Sequence, residues 1–380
     1  MRFDRGGFAL SWKVFALIIA LLGAGGFLFA WSGLFNVAAS SGHWPVTQTL
    51  LHWVMRNSVR TYALGIEAPK LGRPALVHCG AGHYASGCVS CHGAPGEPQS
   101  PIAREMTPMP PRLMHVIHEW ESNELFWIVK HGIKYGAMPA WVARSRDDEV
   151  WAMVAFLEQL PDMTAKEYQR LALGPEATDR GGAEQASQRS GPPTEILSEC
   201  ARCHGRDGAG RGVNAFPILT GQQETYLYNT LKAYAQGSRH SGMMQPAASG
   251  IDDPALRALA RHYARAGRDT AAPAGKSADI GGLRRGERIA RRGVTDDLVP
   301  PCASCHGLKP GPRFAAYPKL AGQHAKYLEQ QLRLYQEHAR GGTAYSPIMR
   351  MIAGNLSEAQ IRAVAAYYAS LNSRKALAAE

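Results

Sequence analysis

One pentapeptide, C-x-x-C-H, occurs three times in this 380-residue chain: at Cys88, Cys91 and His92, at Cys200, Cys203 and His204, and at Cys302, Cys305 and His306. Each copy is followed by glycine. The spacing restricts what the chain can build. Two intervening residues let one tight helical turn present both sulfurs to one edge of a macrocycle, while the next side chain points at its metal. C-x-x-C-H is the attachment signature of c-type haem, in which the thiols become thioethers and the histidine takes one axial position on iron. A single copy could equally be a zinc half-site or a redox dithiol. Three copies, together using six of the seven cysteines, predict three covalently bound haem c groups.

Covalent haem attachment is an extracytoplasmic process in bacteria, so such a chain should cross or be tethered to a membrane. The N-terminus agrees. Arg2, Arg5 and Lys13 precede an uncharged run from Val14 to Phe35. That run is long enough to span the hydrocarbon core and exceeds the usual signal-peptide core of about 7–15 residues. The flanking charges place residues 1–13 in the cytoplasm, with the rest on the periplasmic side of the inner membrane. Val37-Ala38-Ala39 could also be read by a signal peptidase. The net charge of +11 comes with no nucleic-acid motif, so it suits anionic lipid or an acidic docking face on a redox partner.

Beyond the anchor, residues 44–71 carry Trp44, Leu50, Leu51, Trp53 and Val54 among Arg56 and Arg60. They read as an interfacial or stalk helix, or as a helix packed on the first haem domain. That domain is expected over 72–160. Leu76, Gly80 and Tyr84 share a helical face leading into Cys88. A closing helix would start at Ser145 as cap, with Asp147, Asp148 and Glu149 in its first turn. Residues 161–193 are rich in Gly, Ala, Gln and Ser and read as a linker that would let the following domains swing.

The remainder is an internal repeat over 194–265 and 281–371, joined by a linker at 266–280. F-P-I-L-T-G-Q from Phe216 aligns with Y-P-K-L-A-G-Q from Tyr317. Tyr226 aligns with Tyr327 and Tyr234 with Tyr335, each at an offset of 101. The cysteines are offset by 102, so one residue separates the copies between motifs. Ser357 with Gln360, and Asp252 before Pro254, mark the starts of the two closing helices.

On these motifs, residues 194–371 resemble a dihaem cytochrome of the c4 family. Residues 72–160, with C-V-S-C-H-G-A-P-G and G-A-M-P-A-W, resemble a class I cytochrome c. The resemblance implies an all-α fold: three class I haem domains in tandem after an N-terminal transmembrane helix. It also implies a small residue where first and last helices cross, for which Gly80 is the candidate. In that family a methionine ahead of the last helix supplies the sixth iron ligand. Met138 fits in the first domain, 46 residues after His92; Met106, Met109 and Met114 lie too close to it. Alignment on the helix starts selects Met244 and Met349, with Met243 and Met351 as alternatives. His131 and His240 are rival distal ligands. The carbonyl partners of the histidines would be Pro217 and Pro318, with Pro110 or Pro111 in the first domain. His78 and His83 read as surface residues. Cys79 is left either buried and inert or free to pair with another chain.

No paired-carboxylate, nucleophile or nucleotide-loop pattern accompanies these motifs. The expectation is therefore an electron carrier without a small-molecule substrate or a nucleic-acid partner. Its partners would be redox proteins: a quinol-oxidising complex and a terminal oxidase, or a periplasmic quinoprotein or molybdenum dehydrogenase whose cytochrome subunit it would be. A dihaem-peroxidase-like enzyme is the third reading, and it needs one iron without methionine.

Overall fold

The computed structural model of the protein describes residues 12–174, 192–212, 214–266, 280–308 and 314–371. Helix α1 (Trp12–Trp31) starts two residues before the apolar run and stops short of Phe35. At 1.5 Å per residue it spans about 30 Å, the thickness of a hydrocarbon core. None of its side chains is buried by the rest of the protein. Tryptophan stands at both ends, where an amphipathic ring suits the headgroup level. Residues 1–11, with Arg2 and Arg5, lie outside the described residues.

Helix α2 (Pro45–Ala63) packs on the first haem domain through its second half only. Its first half exposes Trp44, Val46, Leu50 and Trp53. Its second half buries Val59 and Ala63, stacks Tyr62 on Trp127 at 5.9 Å, and pairs Arg56 with Glu119 at 2.6 Å. Helix α3 (Pro74–Gly87) then runs into the short α4 (Val89–His92), which carries the first haem motif. Short turns α5 (Pro101–Arg104) and α6 (Leu113–Val116) lead to α7 (Ser122–His131) and α8 (Asp147–Leu157). Helices α3 and α8 cross at Gly80, where an added Cβ would lie 2.2 Å from the Ala152 carbonyl oxygen. Only glycine permits that approach, as the resemblance implied.

Two expectations need correction here. Ser145 does not cap α8. Arg146 holds the N-cap position with no side-chain cap bond, since a guanidinium carries only donors; this one donates to Asp148 at 2.8 and 2.9 Å. The stretch from 161 is also not all linker. Thr164 and Glu167 form a capping box that starts α9 (Ala165–Ala172), and Tyr168 and Ala172 are fully buried against α3. Composition hid this because one tyrosine and one alanine suffice for a two-turn helix to dock. Residues 175–191 of the expected linker, and 267–279 of the second, lie outside the described residues.

The second haem motif ends α10 (Thr194–His204), followed by α11 (Glu224–Ala235), α12 (Met244–Ala248) and α13 (Asp253–Arg265). Leu197, Leu227, Leu259 and Tyr263 form the core of this unit. The third unit comprises α14 (Ile280–Arg292), α15 (Ala303–His306), α16 (Ala325–Gln336), α17 (Ser346–Gly354) and α18 (Glu358–Ser370). Asp252 and the Ser357–Gln360 box cap α13 and α18 as the sequence predicts. The architecture is all-α, with only two isolated bridges, Ala94–Glu97 and Val294–Val299, among the described residues.

The repeat is built as a pseudo-two-fold. Gln222 bonds the Lys319 backbone at 2.7 and 2.9 Å, and Gln323 bonds the Ile218 backbone at 3.0 and 3.1 Å. The glutamine that closes each F/Y-P-x-L-x-G-Q segment thus pairs with the opposite copy's segment. A side-chain amide can satisfy both groups of a peptide unit at once, and its reciprocal use locks the register of the two halves.

Candidate functional site

Each C-x-x-C-H lies on a helical turn that ends at a glycine with positive φ: Gly93 at 68°, Gly205 at 73° and Gly307 at 69°. Burial pushes the Cys88 thiol up to about 12 and those of Cys200, Cys203 and Cys302 up to about 11. A redox dithiol would need the opposite shift. Among the described residues no group of three or more His, Cys, Asp or Glu could hold a bare metal ion. The cysteine pairs therefore fit neither the zinc nor the dithiol reading.

The histidines are set by their second ring nitrogen. His92 Nδ1 is 2.8 Å from the Pro111 carbonyl, which selects Pro111 over Pro110. His306 Nδ1 is 2.9 Å from the Pro318 carbonyl. Such a bond commits Nδ1 and leaves Nε2 as the nitrogen for a metal. His204 is buried beside Pro217, whose carbonyl favours its protonated ring, but its Nδ1 does not reach hydrogen-bonding geometry. Burial dominates there and pulls the imidazole down to about 4.

The second and third units share one continuous cavity of about 240 Å³. It is lined by Cys200, His204, Pro217 and Met244 from one unit, and by Cys302, Cys305, His306, Pro318 and Met349 from the other. Thiols, imidazole and thioether around an apolar hollow are the donor set that covalent haem requires, so the residues fit the group. The geometry also separates the paired methionines. Met243 turns away, its sulfur 3.5 Å from Cys79 Sγ, and packs on the first unit's core. Met351 is 68 % exposed. In the first unit, Met138 sits half-buried in a loop closed by Ile133 N–H donating to its carbonyl at 3.2 Å. Gly132, at φ 65°, is required there, since a Cβ would lie 2.6 Å from that carbonyl oxygen.

The rival histidines are not brought to the cavity. His131 is exposed and lies 5.1 Å from the Trp127 ring, and His240 is exposed. His78 and His83, expected at the surface, instead face other rings: Phe216 at 5.8 Å and Trp141 at 4.8 Å. Cys79 Sγ lies against the Met243 sulfur, and burial raises its thiol well above the ordinary range.

Arg239 and Arg340 escaped the motif reading. Both are buried, both line the cavity, and each lies 4.7 Å over the ring of Tyr234 or Tyr335. Burial opposes ionisation of Tyr226 nearby, but Arg340 and Arg239 outweigh it and bring the phenol down to about 8. Their offset of 101 was the available signal, since it is the offset of the proline and tyrosine pairs.

Burial against Trp141 pulls the His83 imidazole down to about 4. An unfolded histidine takes its proton near 6.5, so the stability this residue contributes is complete above that pH and drains away as pH falls towards 4. His83→Gln should remove about 1–2 kcal/mol of the stability lost between pH 7 and 5, after discounting partial exposure. Parallel melting-midpoint slopes in the two proteins would refute this.

Residues 75–157 match the family model described as cytochrome c oxidase, cbb3-type, subunit III, and residues 297–372 match that of cytochrome c. The chain is 35% identical over 185 residues to cytochrome c-552 of Acidithiobacillus ferridurans, covering 47% of this chain and 76% of that protein. It is 33% identical to cytochrome c4 of Azotobacter vinelandii, covering 46% and 84%. It is 31% identical to the thiosulfate dehydrogenase electron acceptor of Stutzerimonas stutzeri, covering 54% and 93%. The solved structure of reduced cytochrome c4 from Pseudomonas stutzeri is 31% identical, covering 48% of this chain and 99% of that one, with a TM-score of 0.41. With its thiols, imidazoles and thioethers in place, the chain belongs to the c-type cytochromes, as an all-α electron-transfer protein with covalently bound haem and a dihaem pair like that of cytochrome c4.

Proposed function

We infer that the protein is a membrane-anchored triheme carrier that relays single electrons on the periplasmic side, from a quinol-oxidising donor towards a terminal oxidase. Three haem domains, over about 72–174, 194–265 and 281–371, would each hold one group through Cys88 and Cys91, Cys200 and Cys203, or Cys302 and Cys305. His92 with Met138, His204 with Met244, and His306 with Met349 would be the axial pairs. Bound haem supplies a one-electron ferric–ferrous couple. The chain's part is to close the coordination: proline carbonyls orient imidazoles, apolar walls exclude water, and Arg239 and Arg340 offer cationic partners for haem carboxylates. The observation that carries this reading is the shared cavity, where His204 and His306 each have a Met from their own unit lining the same walls. A site filled in this way leaves no position for a substrate.

The ligand assignment is tested by Met138→Ala, Met244→Ala and Met349→Ala. Each should remove about a third of the Met-to-iron absorption at the red end of the ferric spectrum. Retention of the full band by all three variants would refute the assignment, and rapid peroxide turnover by the purified protein would favour the peroxidase-like reading.

Relatives named thiosulfate dehydrogenase electron acceptor favour a second reading, in which a periplasmic dehydrogenase is the donor and this chain its cytochrome partner. The complex that co-purifies from solubilised membranes separates the two: quinol-oxidising or oxidase subunits support the first, a dehydrogenase chain the second.

A further inference from the structure

The first haem unit is docked on the second rather than swinging from it, and the contact is polar at its centre. Glu149, in the first turn of α8, is 5% exposed. Ser241 Oγ donates to its Oε1 at 2.6 Å, and Gly242 N–H donates to its Oε2 at 2.6 Å. Ser241 Oγ in turn accepts the backbone N–H groups of Met243 and Met244 at 3.3 and 3.0 Å. The loop that presents Met244 is thus held by a carboxylate of the neighbouring unit. The same Oε2 accepts from Trp141 Nε1 at 3.3 Å, and Trp141 lies three residues after Met138 in the first unit's methionine loop.

The surrounding contacts fit this arrangement. A Cβ on Gly242 would stand 2.1 Å from Trp141 Nε1, so glycine is required where the two loops meet. Arg146 bonds Glu149 at 2.9 Å and the His240 carbonyl at 3.0 Å, balancing the buried charge and tying the approach to the Met244 loop. On the other side, a Cβ on Gly82 of α3 would lie 3.0 Å from the Cys203 sulfur. Both the attachment side and the methionine side of the second unit therefore face the first.

We propose that Glu149 is a positioning residue shared by the Met138 and Met244 loops, so that docking of the first unit sets the coordination of the haem in the second. The inference rests on the ligand reading above and assigns a role that neither unit could play alone. A carboxylate, acceptor-only on both oxygens, can take the Ser241, Gly242 and Trp141 donors together with the Arg146 guanidinium. A glutamine amide has one acceptor oxygen and must turn its NH₂ towards donors, so both loops would loosen together.

The test is imidazole binding to the purified full-length ferric protein with its haems in place, followed by loss of the Met-to-iron band. Loss of an outer hydrogen bond changes metal–ligand affinity by about 10–100-fold, so Glu149→Gln should tighten imidazole binding by about tenfold or more at two haems. Ser241→Ala should do so only at the haem opened by Met244→Ala, and Trp141→Phe only at the one opened by Met138→Ala. The third haem should be unchanged in all three. If Glu149→Gln and Ser241→Ala bind imidazole like the parent while Met244→Ala opens a site, the proposal fails and the ligand reading stands. If Met138→Ala and Met244→Ala open no site, the ligand reading itself fails and takes the proposal with it. Should Glu149→Gln not fold, Ser241→Ala carries the test with the carboxylate intact.

Discussion

Valine at position 286 should strongly destabilise the third haem unit. A Cβ there would stand 2.1 Å from the Ala363 carbonyl oxygen and 2.8 Å from the Tyr367 Cβ, so α14 and α18 could not keep their crossing. The blocking atom belongs to the backbone and cannot rotate away. Forcing the helices apart also separates Ile289 and Ala290 from Val364 and Tyr368, the centre of that core. Overpacking of this kind costs about 3 kcal/mol or more, which for a unit of this size lowers the melting midpoint by roughly 10 °C or more. Gly80→Val should act likewise on the first unit, through Ala152 and Phe156. A calorimetric scan of Gly286→Val with an unchanged transition would show that the helices do not cross there.

Removing a cysteine pair should cost a haem. Cys302→Ala combined with Cys305→Ala is expected to lower the haem content by one group per chain, from three to two, and the mature mass by one porphyrin. The damage should extend to the neighbouring unit, because His204 and His306 line one cavity and an empty half leaves the Gln222 and Gln323 bonds across an unfilled hollow. The Cys88→Ala, Cys91→Ala protein should instead keep both haems of the pair, because their cysteines are untouched and the Gln222 and Gln323 bonds lie within the pair. A parent protein with two haems, or a double variant with three, would overturn the stoichiometry.

Gly80 was legible in the sequence, and Gly286 was not, for a concrete reason. Gly80 lies eight residues before Cys88, within one continuous helix. Gly286 lies sixteen before Cys302, because a loop closed by the Val294–Val299 bridge intervenes. Repeat alignment found Pro217, Pro318 and the closing glutamines, but not that the glutamines bind the opposite copy. Ser145 failed as a cap because the helix begins one residue further on, with Arg146 at the N-cap position, and a capping rule does not fix a boundary that closely.

What the sequence determined alone was the local pattern: three C-x-x-C-H turns with their histidines, the apolar N-terminal helix and the duplicated methionine-bearing segments. These depend on residue type and on spacings within one or two helical turns. The tertiary structure decided between neighbours and between surfaces. Met243 and Met244 are chemically identical and adjacent, and only the docking of α3 and α8 against their loop turns one towards Cys79 and the other into the cavity. Glu149 reads as an ordinary helix-start carboxylate, because its partners lie 92 and 93 residues away. Contacts over such separations are set by how whole helices pack, and no local pattern encodes them.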